Sequence, residues 1–336
     1  MNLNIVASVV IGPNQVNYCR VVRKSKAPVV DSVALYDFGY DNMDDLDGIM
    51  ESINSLVAKP TLVNLSIISS DVIKHIYFYR RDAQNVRSNV MRDLKNDYEI
   101  KLQDYLIDFE ETNLENKKIV FVVAMPKALF EACYEKIKNK GNLKLFALET
   151  DVVSLRRLVA LSMQPRDGME LCFNFARDHT NIFVMDGTSV LVDREINYGF
   201  DEFVKDLASA GGVGEEEIIN FLEQKGFSVD EGSSESDMNA YQVLTDVFDK
   251  MSIELQRTID YVISNQKLGA IDGIVTLGSI NRIKKADVYL SRLFSMKVEK
   301  METAKKVEFD SAVDFSIVAQ MHCFDVAVGA ALRKLG

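Results

Sequence analysis

The sequence lacks any uninterrupted apolar stretch longer than Ile119–Met125, far below the ~18 residues needed to cross a bilayer. It also lacks a secretory leader pattern: the short apolar run at the amino end has no basic residue before it and no small-residue cleavage site after it. That run reads as a strand. A concentrated basic patch is missing too. Arg80-Arg81, Lys117-Lys118, Lys284-Lys285 and Lys305-Lys306 are isolated pairs among acids, and the net charge is −11. A phosphate backbone is repelled by such a surface, so nucleic acid is not expected as a partner. Four cysteines (Cys19, Cys133, Cys172, Cys323) and three histidines (His75, His179, His322) are scattered. They offer neither metal-ligand spacing nor a local partner for a nucleophilic thiol. Cysteines in apolar stretches read as small buried hydrophobes in a reducing compartment.

What is present is an ordinary globular composition, 47% hydrophobic and 26% charged over 336 residues, about twice the usual domain length. Strand-like runs at 3–11 and 16–22 flank Gly12-Pro13-Asn14-Gln15, a turn composition that predicts a hairpin. Asp44–Val57 carries apolar residues on one helical face and is closed by Lys59-Pro60, with a strand at 61–68 after it. Charged helical sequence at about 82–106, an extended segment at 105–110, a buried-type strand at 118–124 and helices at 127–139 and 148–161 follow. This alternation predicts a mixed α/β fold.

The opening theme then recurs. Strands at 171–175, 181–185 and 189–197 are separated by turns at Ala176–His179 and Asp186-Gly187. Two such openings, near residues 3 and 171, predict a two-lobed fold built by duplication. Further on, Glu215-Glu216-Glu217 open one helix and a solvated acidic loop spans 230–237. A long amphipathic helix covers 238–264, strands are expected at 273–277 and 297–301, and a helix lies near 284–294. The closing helix, about Ser316–Leu332, contains Ala327, Gly329, Ala330 and Ala331. These small residues predict a close approach by another element, at an interface between lobes.

Taken in this order, the chain resembles the PilM branch of the actin-like superfamily, and more distantly FtsA, over nearly its full length. Val122–Lys127 is similar to that family's strand end, and Glu149–Arg156 to its first lobe-connecting helix. Ile253–Tyr261 and Ala327–Arg333 are similar to its later helix motifs. The resemblance implies an actin-like, RNase H-like, two-lobed α/β fold with an inserted subdomain in the first lobe. The implied organisation is a first-lobe core at 1–80, the insert at 81–147 and a connecting helix at 148–165. The second lobe would have its core at 166–205 and 266–310, a small subdomain at 206–265, and a closing helix at 311–336 returning to the first lobe.

In that family two hairpins cradle nucleotide phosphates through backbone N–H groups, and two Asp carboxylates arrange Mg²⁺ and water. Here the metal-ordering Asp of the first hairpin is Val10, its Lys is Asn17, and Pro13 removes a donor. The second hairpin has Asn174 for Asp and Ala176 for Gly, and keeps Thr180. The ribose-contacting pair falls in the apolar Ile218–Leu222 segment, which also fits a buried helix face. The adenosine loop, Leu277–Asn281, retains one of two glycines. The resemblance thus leaves a vestigial nucleotide cleft of Gly12, Asn14, Gln15, Asn174, Arg177, Thr180, Gly278 and Ser279, with no catalytic or metal residues. Arg177 is expected to pair with Asp178 on the surface.

The implied function is a cytoplasmic scaffold or adaptor of a type IV pilus or related secretion assembly. It would bind the cytoplasmic amino-terminal tail of a PilN-like inner-membrane protein beside the insert, alongside other pilus-assembly subunits, and would reach the membrane only through partners. A homo-oligomer is left open. The alternative keeps ATP or ADP as ligand of a conformational switch or slow ATPase. A third class, a sugar-kinase-like enzyme, lacks a placeable catalytic Asp.

Overall fold

The computed structural model describes residues 5–23, 27–162, 168–228, 234–318 and 320–333. The expected lobe switch near 166–171 and the acidic loop at 230–237 therefore lie partly outside the described residues.

Strands β1 (Ile5–Ile11), β2 (Gln15–Arg23) and β3 (Pro28–Asp37) form an antiparallel meander. Helix α1 (Asp45–Ser55) then leads to β4 (Thr61–Ile67), parallel to β1. The chain next leaves this sheet. β5 (Ile73–Arg80), α2 (Val86–Tyr98), β6 (Tyr105–Asn113) and β7 (Lys117–Pro126) make a separate three-stranded sheet in the order β5-β7-β6 with its own small core. Helix α3 (Lys127–Lys138) and β8 (Leu143–Glu149) return, β8 parallel to β4 and α3 sharing a core with α1. Helix α4 (Asp151–Ser162) closes this half.

The second half repeats the scheme. β9 (Met169–Phe175), β10 (Thr180–Asp186) and β11 (Ser189–Ile196) form the antiparallel meander. Helices α5 (Phe200–Gly211), α6 (Glu215–Gln224) and α7 (Glu235–Asp260) intervene. β12 (Ile271–Gly278), α8 (Ala286–Phe294) and β13 (Lys297–Lys300) then add the parallel strands. β14 (Glu308–Phe309) extends the first sheet beside β3, and α9 (Asp325–Ala331) ends the described fold.

The first sheet runs β14-β3-β2-β1-β4-β8 and the second β11-β10-β9-β12-β13. Apart from β14, the two have the same order and the same antiparallel-then-parallel sense. The two strand-turn-strand openings thus fall in different sheets. Between the sheets, Val152 and Leu155 of α4 and Ala327 and Val328 of α9 share one core with Val10 and Val21 on one side and Phe183 and Val275 on the other.

Three features differ from the sequence reading. β5, expected in the first-lobe core, pairs with β7, while α3 and β8, expected in the insert, belong with the first sheet. The cause is non-local pairing: a strand takes the sheet of the partner that covers its edge, and its own residues do not name that partner. The expected continuous closing helix is broken into a helical turn at Phe315–Val318, a 3₁₀ turn at Met321–Phe324, and α9. Tertiary hydrogen bonds tie the segment to the first sheet. Asn17 on β2 donates to the Cys323 carbonyl, Ser8 on β1 to that of Ala327 at 2.6 Å, and Asn64 on β4 to that of Ala330 at 2.6 Å. A short helix leaves its last carbonyls without intrahelical donors, and Asn64 satisfies that of Ala330. Lastly, the long helix is α-helical only to Asp260 and continues as a π-turn over Tyr261–Asn265.

Candidate functional site

The two hairpins meet between the lobes. Gly12, Gln15, Asn174, Arg177, Gly278 and Ser279 line one cavity together with Val10 and Asn17; Asn14 and Thr180 do not. Asn14 is exposed and gives its carbonyl to the Phe38 amide. Thr180 is fully buried, with its hydroxyl donating to the Tyr198 carbonyl at 2.6 Å inside the second lobe. Gly278 has to be glycine: its φ is +72°, and a Cβ there would lie 2.6 Å from the Phe175 carbonyl oxygen and 2.8 Å from Asn174 Oδ1. The amides of the first turn are partly committed, since the Gly12 N–H donates to the Gln15 carbonyl at 2.9 Å.

The cavity measures about 50 Å³, against roughly 300–1,000 Å³ for sites that enclose small ligands. Protein fills the difference. His322 and Cys323 from the broken closing segment line it, and the Asp325 carboxylate accepts from the Gly278 amide at 2.9 Å and from the Thr303 hydroxyl. Burial pushes Asp325 up to about 7 despite those two donors, and pulls His322 down to about 4. On the side where the resemblance expected adenosine, Ile218, Leu222 and Ile280 belong to the same core as Phe200. The Arg282 guanidinium lies over the Phe200 ring at 5.3 Å and pairs with Glu223 at 2.6 Å.

Arg177 does not pair with Asp178. Its guanidinium reaches Asp201 at 2.6 Å and Asp37 at 3.6 Å, across the mouth of the cavity. Asp178 instead accepts from His179 Nδ1 at 2.7 Å, because the turn aims the two side chains at each other.

His179 opens onto a charge cluster that spacing along the chain concealed. Its Nε2 lies 3.3 Å from Asp151 and 3.0 Å from Asn181 Oδ1. Asp151 also accepts from Lys74 Nζ at 3.0 Å, and the same ammonium bonds Glu195. Lys74 comes from β5, Asp151 from the first turn of α4, and Glu195 from β11, so one buried cation ties the insert sheet to both lobes. Despite the desolvation that opposes its charge, hydrogen bonds and the charges of Asp151 and Asp178 hold His179 at about 10. Asp151 is held well below the usual carboxylate range: burial opposes this, and Lys74 and His179 outweigh it. Asp193, desolvated and with a buried oxygen that has no partner, is pushed up to about 7. Donor atoms of Asp151, His179 and Glu195 lie within 4.8 Å of one another. That set could ligate a metal, but the Lys74 ammonium already supplies the positive charge at that point.

A second concavity, about 510 Å³, lies where the insert sheet faces the first lobe. One wall is five consecutive residues of β6, Leu106–Glu110, and the other is Leu148, Glu149 and Thr150 at the end of β8 with Val153 and Arg156 on α4. β6 is an edge strand, and it presents backbone as well as side chains. The rim is polar: Arg156 pairs with Glu110, and Glu149 is held by Arg157 at 2.7 Å and Arg333 at 3.3 Å.

These features define an actin-like fold, two lobes of like topology about a central cleft. The chain is similar to a solved structure titled as the PilM-PilN type IV pilus biogenesis complex, with a TM-score of 0.75 at 14% identity over 98% of both chains. It is similar to the ethanolamine utilization protein EutJ from Carboxydothermus hydrogenoformans, with a TM-score of 0.54 at 13% identity over 98% of this chain and 89% of that one. A third similar structure is MreB5 of Spiroplasma citri bound to AMPPNP, with a TM-score of 0.53 at 11% identity over 97% and 95%. No family model matches the sequence, and no curated protein matches it.

Proposed function

We propose that this chain is an actin-like adaptor of a pilus or related secretion assembly, which holds the cytoplasmic tail of a PilN-like membrane protein in the groove between β6 and the β8–α4 junction. The groove carries this reading. An extended peptide can bond to an open strand edge while its side chains enter the apolar floor at Phe121, Val123 and Met125. The similarity to the PilM-PilN structure supports it. Among the described residues no helix is long and apolar enough to cross a membrane, and recruitment to the inner membrane through this tail, from the cytoplasm, belongs to the proposal.

The test is co-sedimentation with liposomes. The protein is expected to stay in solution with bare anionic vesicles and to pellet with vesicles carrying the partner with its tail intact. Val153→Asp, which places a charge in the groove wall formed by α4, is expected to weaken that recruitment about tenfold or more. Leu106→Asp on the opposite wall provides an independent variant should the first disturb folding. Excising 81–147 is unsuitable, because it would remove β8 from the first sheet. Pelleting on bare vesicles, or folded variants that are recruited like wild type, would overturn the proposal.

We further propose that the interlobe cleft no longer holds nucleotide, on the ground of its volume of about 50 Å³. ATP or ADP as the ligand of a switch is the competing reading, and MreB5 structures titled with AMPPNP and ADP favour it. A nucleotide at a hundred times its Kd would stabilise the fold by about 2.7 kcal/mol. Millimolar ATP with Mg²⁺ is expected to leave the melting temperature unchanged, and a reproducible rise would favour the switch.

A further inference from the structure

A groove of about 590 Å³ on the second lobe, away from both sites above, lies between α8, Tyr241 near the start of α7 and Phe227 just after α6. Its floor is aromatic. The Phe227 and Tyr289 rings stack at 4.1 Å and 13°, and Tyr241 meets Phe227 edge-on at 6.3 Å. Its walls are fixed by backbone: the Phe227 amide donates to the Lys284 carbonyl and the Lys284 amide to that of Leu222, both at 2.9 Å. Gly226 permits this approach, since at its φ of +50° a Cβ would lie 2.6 Å from the Lys284 carbonyl oxygen. A groove held in this way needs little ordering when a ligand arrives.

Val288 and Leu293 on α8 are 38% and 46% exposed and line the groove on either side of Tyr289. Lys285 and Arg292, two helical turns apart on the same side, make no ion pair among the described residues. Their basic neighbours are all engaged: Arg282 with Glu223, Lys300 with Asp287, Lys225 with Asp237, and Lys284 with the Gln224 carbonyl. In a chain of net charge −11, two cations with no ion-pair partner among the described residues bracket an apolar, aromatic-floored groove and select for a ligand of opposite character.

We infer that this groove docks an acidic segment of a partner protein, one that places an aromatic or large aliphatic side chain against Tyr289 between carboxylates that meet Lys285 and Arg292. The apolar anchor supplies affinity, and the charges supply register and rate of encounter. This surface lies on the second lobe and the tail groove on the first, so the chain would hold two proteins at once. The inference stands whether or not the tail groove is correctly assigned.

The probe is a displayed library of random sixteen-residue peptides, selected on the full chain and counter-selected on the Lys285→Glu/Arg292→Glu double variant. Both positions are exposed, so the variant is expected to fold, which its unchanged melting curve would verify. Enriched peptides are expected to carry Asp or Glu on both sides of an aromatic or aliphatic residue. In fluorescence anisotropy the synthesised peptide should bind the charge-reversed variant at least about tenfold more weakly, with the difference shrinking at high salt. Tyr289→Ala should weaken binding at low and high salt alike. No enrichment, enrichment of basic or uncharged sequences, or equal binding to the charge-reversed variant would overturn the inference. So would a wild-type dimer in light scattering that the charge reversal dissociates, since the occupant would then be a second copy.

Discussion

Replacing Lys74 by methionine is expected to cost about 3–5 kcal/mol of stability, the usual penalty for removing one partner of a buried ion pair. The Lys74 side chain is 6% exposed and that of Asp151 1%, so solvent cannot take over the lost charge. At roughly 2.1 cal/mol/K per residue, 336 residues convert this loss into a fall of about 4–7 °C in melting temperature. Because Lys74 links β5 to α4 and β11, the loss should also separate the unfolding of the insert sheet from that of the lobes, detectable as a second transition. Lys74→Arg should recover part of the loss. An unchanged midpoint for Lys74→Met would mean that the cluster relaxes toward water and holds nothing together.

The same cluster fixes a pH dependence. His179 is raised from its ordinary 6.5 to about 10, so its contribution is complete below 6.5 and is lost as the pH climbs toward 10. Asp193, raised from 3.8 to about 7, acts in the same sense at lower pH, stabilising below 3.8 and losing that effect by 7. Urea titrations at pH 6.5 and about 7.5, below the ordinary thiol pKa of about 8.5, should therefore show wild type losing stability with rising pH. His179→Gln should flatten that slope.

The second large effect is expected at Gly329. A Cβ there would lie 2.2 Å from the Ser154 carbonyl oxygen and 3.4 Å from Leu158 Cβ. The obstruction is helix backbone, which cannot rotate away as a flexible side chain could. Arg157 also donates to the Gly329 carbonyl at 2.6 Å, so separating α4 from α9 breaks a bond as well as a contact. Overpacking typically costs about 1–3 kcal/mol, and more where nothing can move; Gly329→Val is expected at or beyond the upper end, Gly329→Ala below it. Equilibrium urea unfolding measures both. A Gly329→Val protein as stable as wild type would show that α4 and α9 slide apart freely.

The sequence by itself determined the two lobes, because each opens on a local hairpin whose turn residues and alternation need no distant partner. It also determined that α9 packs closely, since small residues in a helix announce a near neighbour. Residue type at Val10, Asn17, Asn174 and Ala176 was equally legible, since sequence alone says that none of these is a carboxylate, a lysine or a glycine. Only the tertiary structure decided which sheet β5 and β8 join, because edge pairing is a property of two strands distant in the chain. It alone broke the closing segment before α9 and tied it to the first sheet, where Asn17, Ser8 and Asn64 reach the carbonyls of Cys323, Ala327 and Ala330. It alone gathered Lys74, Asp151, His179 and Glu195, each unremarkable in its own segment, into one buried cluster. Periodicity reports which face of an element is buried; which charges meet there depends on how three sheets are brought together, and local sequence carries no signal for that.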